Sequence, residues 1–122
     1  MTSINRFEDV KAWQRARELV QQVYAVSGKG AFRRDYGLKD QIRRAAGSVM
    51  HNIAEGFDAG SDKEFVRFLT YARRSATEVQ SQLYLALDQA YITDGEFKHL
   101  THLAEECKKA INGFIRYLEQ HP

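Results

Sequence analysis

Proline is almost missing from this 122-residue chain. The only one is Pro122, the last residue, so nothing inside the sequence interrupts a long helix by removing a backbone donor. Cysteine is nearly absent too. Cys107 stands alone, which excludes an intramolecular disulfide and fits a reducing compartment. No apolar run approaches the roughly 20 residues of a membrane span, and the N-terminus lacks the apolar core of a signal peptide. These absences point to a cytoplasmic protein without a membrane partner. No internal repeat, low-complexity stretch or alternating strand pattern occurs either.

What is present is helical patterning, in a length that suits one domain. Four amphipathic segments follow one another with short breaks. The first spans about residues 9–27, with Val10, Trp13, Ala16, Val20, Val23 and Tyr24 at helical spacing and Gly28 and Gly30 ending it. The second spans about 36–56, capped by Asp35, with Leu38, Ile42, Ala45, Val49, Ile53 and Gly56 as its apolar face. The third spans about 62–91. It opens on a Ser61/Glu64 capping box and carries Phe65, Phe68, Ala72, Ala76, Val79, Leu83, Ala86 and Ala90 in threes and fours. The fourth spans about 94–119, opens on a Thr93/Glu96 capping box, and carries Leu100, Leu103, Cys107, Ile111, Phe114 and Leu118. Four such helices joined by short loops predict an all-α, antiparallel up-and-down four-helix bundle.

Bundle interiors often hold metals, yet the donors here do not add up to a site. Glu96–His99 is a single Glu-x-x-His pair where a di-iron bundle needs two, and Glu96 is already assigned to a cap. His99 and His102 are three residues apart but lack a third ligand, so a solvated face is expected. His51 lies opposite the apolar stripe of the second helix. Cys107 lies on the core stripe of the fourth, as a packed and unreactive thiol. Glu55 and Glu78 could meet across helices two and three, but a carboxylate pair needs a pocket to act as acid and base. No glycine-rich phosphate loop or Ser-His-Asp arrangement occurs. The expectation is a protein without catalytic residues, metal or cofactor.

Two features carry more. The net charge is only +2, but Lys29, Arg33, Arg34, Lys39, Arg43 and Arg44 face only Asp35 and Asp40, a surplus of four in sixteen residues. Arg33, Arg34, Lys39 and Arg43 are candidate phosphate contacts for RNA or DNA, with Phe32 and Tyr36 placed to stack on unpaired bases. A solvated loop is the alternative. The second feature is a polar stripe beside the apolar face of the second helix: Gln41, Arg44, Ser48, Asn52 and Glu55. The third helix carries its counterpart in Arg67, Tyr71, Arg74, Ser75, Glu78 and Gln82. These read either as solvated flanks or as a polar seam, within the bundle or between subunits, which puts Arg44 within salt-bridge reach of Glu78 in the same chain or a neighbour. Tyr71, Tyr84 and Leu85 lie off the apolar stripe and would leave a patch on a monomer.

The runs Phe7–Val10, Trp13–Ala16, Gly37–Ala46, Asn52–Gly56, Ala72–Glu78 and Ala90–Ile92 together resemble a bacterial four-helix-bundle family. That family is named for proteins encoded in intervening sequences of 23S rRNA genes. The likeness covers nearly the whole chain, and Gln41–Ala46 with Asn52–Gly56 is its most specific part. The resemblance implies a homopentameric ring of antiparallel bundles. It also implies relatedness to the basic accessory proteins of diversity-generating retroelements, which bind RNA and a reverse transcriptase. It implies no catalytic residues and gives Asn52 and Glu55 structural or interfacial roles. Ala90 stands where the family often has glycine. The function expected is therefore that of a homo-oligomer, pentamer favoured, binding nucleic acid; a ring that scaffolds another protein is the alternative.

Overall fold

The computed structural model describes residues 4–121, and those residues form four α-helices with no strand among them. The helices are α1 (Lys11–Ser27), α2 (Tyr36–Phe57), α3 (Asp62–Asp88) and α4 (Asp94–Gln120). Short 3₁₀ turns, Phe7–Asp9 and Phe32–Arg34, precede α1 and α2. Each helix packs on its neighbours in sequence, and α1 closes the ring against α4, as an up-and-down bundle requires. No helix among the described residues is long and apolar enough to cross a membrane.

Local chemistry sets the ends. Asp35 Oδ1 accepts the Leu38 amide at 3.1 Å and starts α2. Thr93 and Glu96 form the complete capping box of α4, at 3.0 and 2.9 Å. The box expected at α3 is only half present. Ser61 Oγ accepts the Glu64 amide at 3.2 Å, but the Glu64 carboxylate turns forward to Arg67 at 3.1 Å instead of back to the cap.

The third helix ends at Asp88, three residues short of the sequence reading, because Ala90 leaves the helix with φ of 58°. The Tyr91 amide reaches Ala86 O and the Ala90 amide reaches Leu87 O, both at 2.9 Å. Those two bonds define a Schellman motif whose left-handed position is normally glycine. An alanine there accepts the strain that glycine avoids.

The core falls into two clusters along the bundle. At the α2 start it is built on Leu19, Phe32, Ile42, Leu83 and Leu100; at the other end on Trp13, Ile53, Leu69, Cys107 and Ile111. Leu19 and Leu69 are fully buried, whereas Tyr24 and Phe68, read as stripe residues, lie toward the rim. Between α2 and α3 the facing residues are small, with Ala45, Ala72 and Ala76 all buried. At Gly56 the two helices approach closely. A β-carbon there would lie 2.8 Å from both Phe65 Cδ1 and Phe68 Cβ.

Candidate nucleic-acid interface and polar seam

The turn before α2 is fixed by its aromatic residue. Phe32 is fully buried and stacks on Tyr91, with ring centroids 5.3 Å apart. Tyr91 also donates its hydroxyl to Asp35 Oδ2 at 2.9 Å, so the cap of α2 and the end of α3 are tied together. That bond to a carboxylate raises the Tyr91 pKa above its ordinary value of 10.0. The expectation that Phe32 stacks on bases is therefore overturned: it belongs to the core. Tyr36, at 69% exposure, remains open, with Lys39 Nζ 5.1 Å above its ring.

Burial of Phe32 turns its two neighbours outward. Arg33 and Arg34 are exposed, and neither is ion-paired among the described residues. Lys29, counted with the same cluster, pairs instead with Glu96 at 3.0 Å. The backbone of Thr93 and the Lys29 ammonium together hold the Glu96 carboxyl below its ordinary 4.5.

Arg43 is placed differently from the rest of its cluster. Its Nε donates to the buried Ser27 Oγ at 2.8 Å, its Nη2 reaches Tyr24 O at 3.4 Å, and its guanidinium lies 4.3 Å over the Tyr24 ring. It is engaged with the last turn of α1, where a cation meets the negative end of the helix dipole. The structure thus groups Arg33 and Arg34 as free cations, adds Lys39 through Tyr36, and turns Arg43 to a packing role.

The polar stripes of α2 and α3 do meet, at one point. Ser48 Oγ and Ser75 Oγ are 2.9 Å apart, and Asn52 Nδ2 donates to Ser48 O at 2.8 Å and to Ser48 Oγ at 2.9 Å. Arg44 and Glu78 are level but form no pair within the chain, and both are exposed. Each lies roughly 40–60° further round its helix than the serine that makes the contact, on the outer side. Glu78 instead accepts from Gln82 Nε2 at 3.2 Å. Gln82 is only 6% exposed, and its Oε1 finds no partner among the described residues.

The antiparallel register set by Ser48 and Ser75 places Glu55 opposite Phe68, some ten residues from Glu78, so the two carboxylates do not meet. Glu55 and Gln41 are both exposed. Glu55 lines an open groove of about 670 Å³ along the outer side of α2, with Asp40, Arg43, Arg44, His51 and Asn52. Its charges nearly cancel.

His51, His99 and His102 are exposed, and no three His, Cys, Asp or Glu side chains converge among the described residues. Cys107 is buried, with its thiol 3.8 Å from Ala12 O, and burial pushes its pKa from 9.0 up to about 12.

One set of cations escaped the reading along the chain. Arg73 and Arg74 on α3 lie across from Lys108 on α4 and share a small cleft with Thr77. Their only sequence signal is the tandem arginine, because the third cation lies more than thirty positions away. It joins them only once the α3–α4 register is known.

A family model described as "23S rRNA-intervening sequence protein" matches residues 8–113. Among solved structures, the fold is similar to that of a protein with unknown function from the S23 ribosomal protein family of Bacteroides thetaiotaomicron. The TM-score is 0.77 at 22% identity, over 85% of this chain and 97% of that one. At that identity the likeness is one of fold. No curated protein matches the chain.

Proposed function

The chain belongs to the 23S rRNA-intervening sequence protein family, and from that premise we propose that it is a non-catalytic, cytoplasmic homo-oligomer that binds nucleic acid, RNA foremost. The contact surface in this reading is the basic turn and first turns of α2: Arg33, Arg34 and Lys39. The observation that carries it is the pairing of a buried anchor with two free cations. Phe32, sealed against Tyr91, makes the turn rigid, so Arg33 and Arg34 are presented to solvent without a carboxylate to neutralise them. Cations presented this way can meet a phosphate without breaking an ion pair and release the counterions bound there. Tyr36 adds an exposed ring for a base to stack on.

Assembly, with a pentameric ring favoured, is supported by the resemblance and by the exposure of Tyr71, Tyr84 and Leu85 on one helix. In a ring the basic surface repeats by symmetry. Affinity then grows with RNA length, because each added contact is intramolecular. Sequence preference is slight, since phosphate contacts carry none directly.

The test is fluorescence anisotropy with single-stranded RNAs of increasing length, across about 50–200 mM salt, beside native mass spectrometry of the same samples. Affinity should fall steeply with salt. It should also fall in an Arg33→Glu, Arg34→Glu variant that still assembles. Unchanged binding by that variant places the site elsewhere. If the wild type does not bind at low salt, the exposed tyrosines and Leu85 favour the second reading, a scaffold for another protein.

A further inference from the structure

We propose that Arg73, Arg74, Thr77 and Lys108 form an oxyanion site on the α3–α4 face that takes a phosphate group. The site is distinct from the surface at the start of α2. It rests on the nucleic-acid reading only for the source of that phosphate.

The cleft measures about 290 Å³, and none of its lining residues is acidic. The groove along α2 differs in this respect, since Asp40 and Glu55 offset Arg43 and Arg44 there. The decisive feature is how the cations are held. Arg73 Nη1 donates to Asn112 Oδ1 at 2.8 Å, and Lys108 Nζ donates to Gln80 Oε1 at 3.1 Å. Both partners are neutral amides on the facing helix. They fix the side chains in place without cancelling their charge. The nearest carboxylate, Glu105, stands 3.9 Å from Lys108 and is itself held by Gln80 Nε2 at 3.4 Å. Arg74 is exposed and has no ion-pair partner among the described residues.

A guanidinium offers five N–H donors and an ammonium three, so most of the donors of Arg73 and Lys108 remain for a ligand. The Thr77 hydroxyl donates only weakly, to Arg73 O at 3.3 Å, and can turn to a phosphate oxygen. Three cations and a hydroxyl around a cleft with no acidic lining residue suit the tetrahedral oxygens of a phosphate group.

The cleft is shallow and lies on the flank of two 27-residue helices, which favours a phosphodiester of a long strand over an enclosed small molecule. It lies ~20 Å along the bundle from the start of α2, counting 1.5 Å per residue from the level of Tyr36. A strand seated at both sites would run along the bundle.

The experiment pairs two arms on the intact chain. In one, the salt dependence of single-stranded RNA binding is compared for the wild type and an Arg74→Gln, Lys108→Gln variant. In the other, amide and arginine side-chain NMR signals are followed on addition of the same RNA and, separately, of inorganic phosphate. The expected result is a salt slope shallower by about 1 in the variant, with the Arg73, Arg74 and Thr77 signals shifted by RNA in the wild type. Wild-type RNA binding with an unchanged slope and unmoved cleft signals overturns this site and leaves the nucleic-acid reading standing. Cleft signals that move with inorganic phosphate, in a protein that does not bind RNA, keep the site and overturn that reading. Silence in both arms overturns both. Should the double variant fail to fold, Arg74→Gln alone, a surface change, repeats the measurement.

Discussion

Arg43 Nε donates to Ser27 Oγ across 2.8 Å, and the same hydroxyl donates onward to Val23 O at 2.7 Å. A fully buried serine at the end of α1 is thereby satisfied twice, once by its own helix and once by a cation from α2. The arrangement separates Arg43 from the other basic residues near it.

Arg43→Met should therefore destabilise the chain by about 1–2 kcal/mol, the range for a charge-assisted hydrogen bond with a partly exposed cation–π contact. It should leave the salt slope of RNA binding unchanged. Denaturant unfolding and anisotropy on the same variant check the pair of outcomes. A shallower salt slope with unchanged stability would return Arg43 to the nucleic-acid surface.

Two glycine–alanine exchanges should act with opposite signs. Gly56→Ala ordinarily gains roughly 1 kcal/mol in a helix, but here the new methyl meets Phe65 and Phe68 at 2.8 Å. Overpacking of about 1–3 kcal/mol outweighs the gain, so the variant should melt lower. Ala90→Gly should melt higher, by about 0.5–1 kcal/mol, because it relieves the left-handed strain while loosening the unfolded chain somewhat. Thermal denaturation of the two variants beside the wild type tests both signs.

Much of this is legible in the sequence, and the features that are not share a cause. Apolar periodicity and capping residues located the four helices within a few residues, because both signals are local. The end of α3 is hidden in the sequence because Ala90 is a strong helix former by propensity, and only the Ala86–Tyr91 hydrogen bond overrides it. Phe32 sits between a small residue and two arginines with no periodic company, and its burial is decided by Tyr91, far along the chain. A helical wheel gives the stripes on α2 and α3 but does not tell which members touch; Ser48 and Ser75 do, Arg44 and Glu78 do not, and Arg74 lines the α3–α4 cleft. The α3–α4 cleft was invisible for the same reason, since its cations converge only across helices.

Burial of Cys107 sets an alkaline limit on stability. Its thiol has a folded pKa raised from 9.0 to about 12, so the neutral form is favoured in the fold and its stabilisation is complete below about 9. That stabilisation is lost as pH rises from 9 toward 12. The raised pKa of Tyr91 adds a loss of the same sign above 10.0. Urea unfolding midpoints should fall across this window. The fall should be smaller in a Cys107→Ala, Tyr91→Phe variant, even though that variant is less stable at neutral pH. In the native wild type, the thiol should resist alkylation at neutral pH and react on unfolding.

Gln82 tests the assembly itself. It lies on the flank of α3 that carries Tyr71 and Leu85, both exposed, at 38% and 52%. Its amide nitrogen is satisfied by Glu78, but its buried Oε1 has no partner among the described residues. An orphaned buried acceptor costs about 1–3 kcal/mol, a cost that a donor from a neighbouring copy would remove once assembly turns the Gln82 amide toward the interface. If the α2–α3 flank is where copies meet, Gln82→Leu should weaken association by roughly 10–100-fold, since the neighbour's donor is then left unpaired. The isolated chain should be as stable as before or slightly more so, because the orphan is gone. Sedimentation over a concentration series reads the first effect, and unfolding under dissociating conditions reads the second. A variant that assembles like the wild type places the interface on another face. A wild type that stays monomeric at micromolar concentration removes the ring.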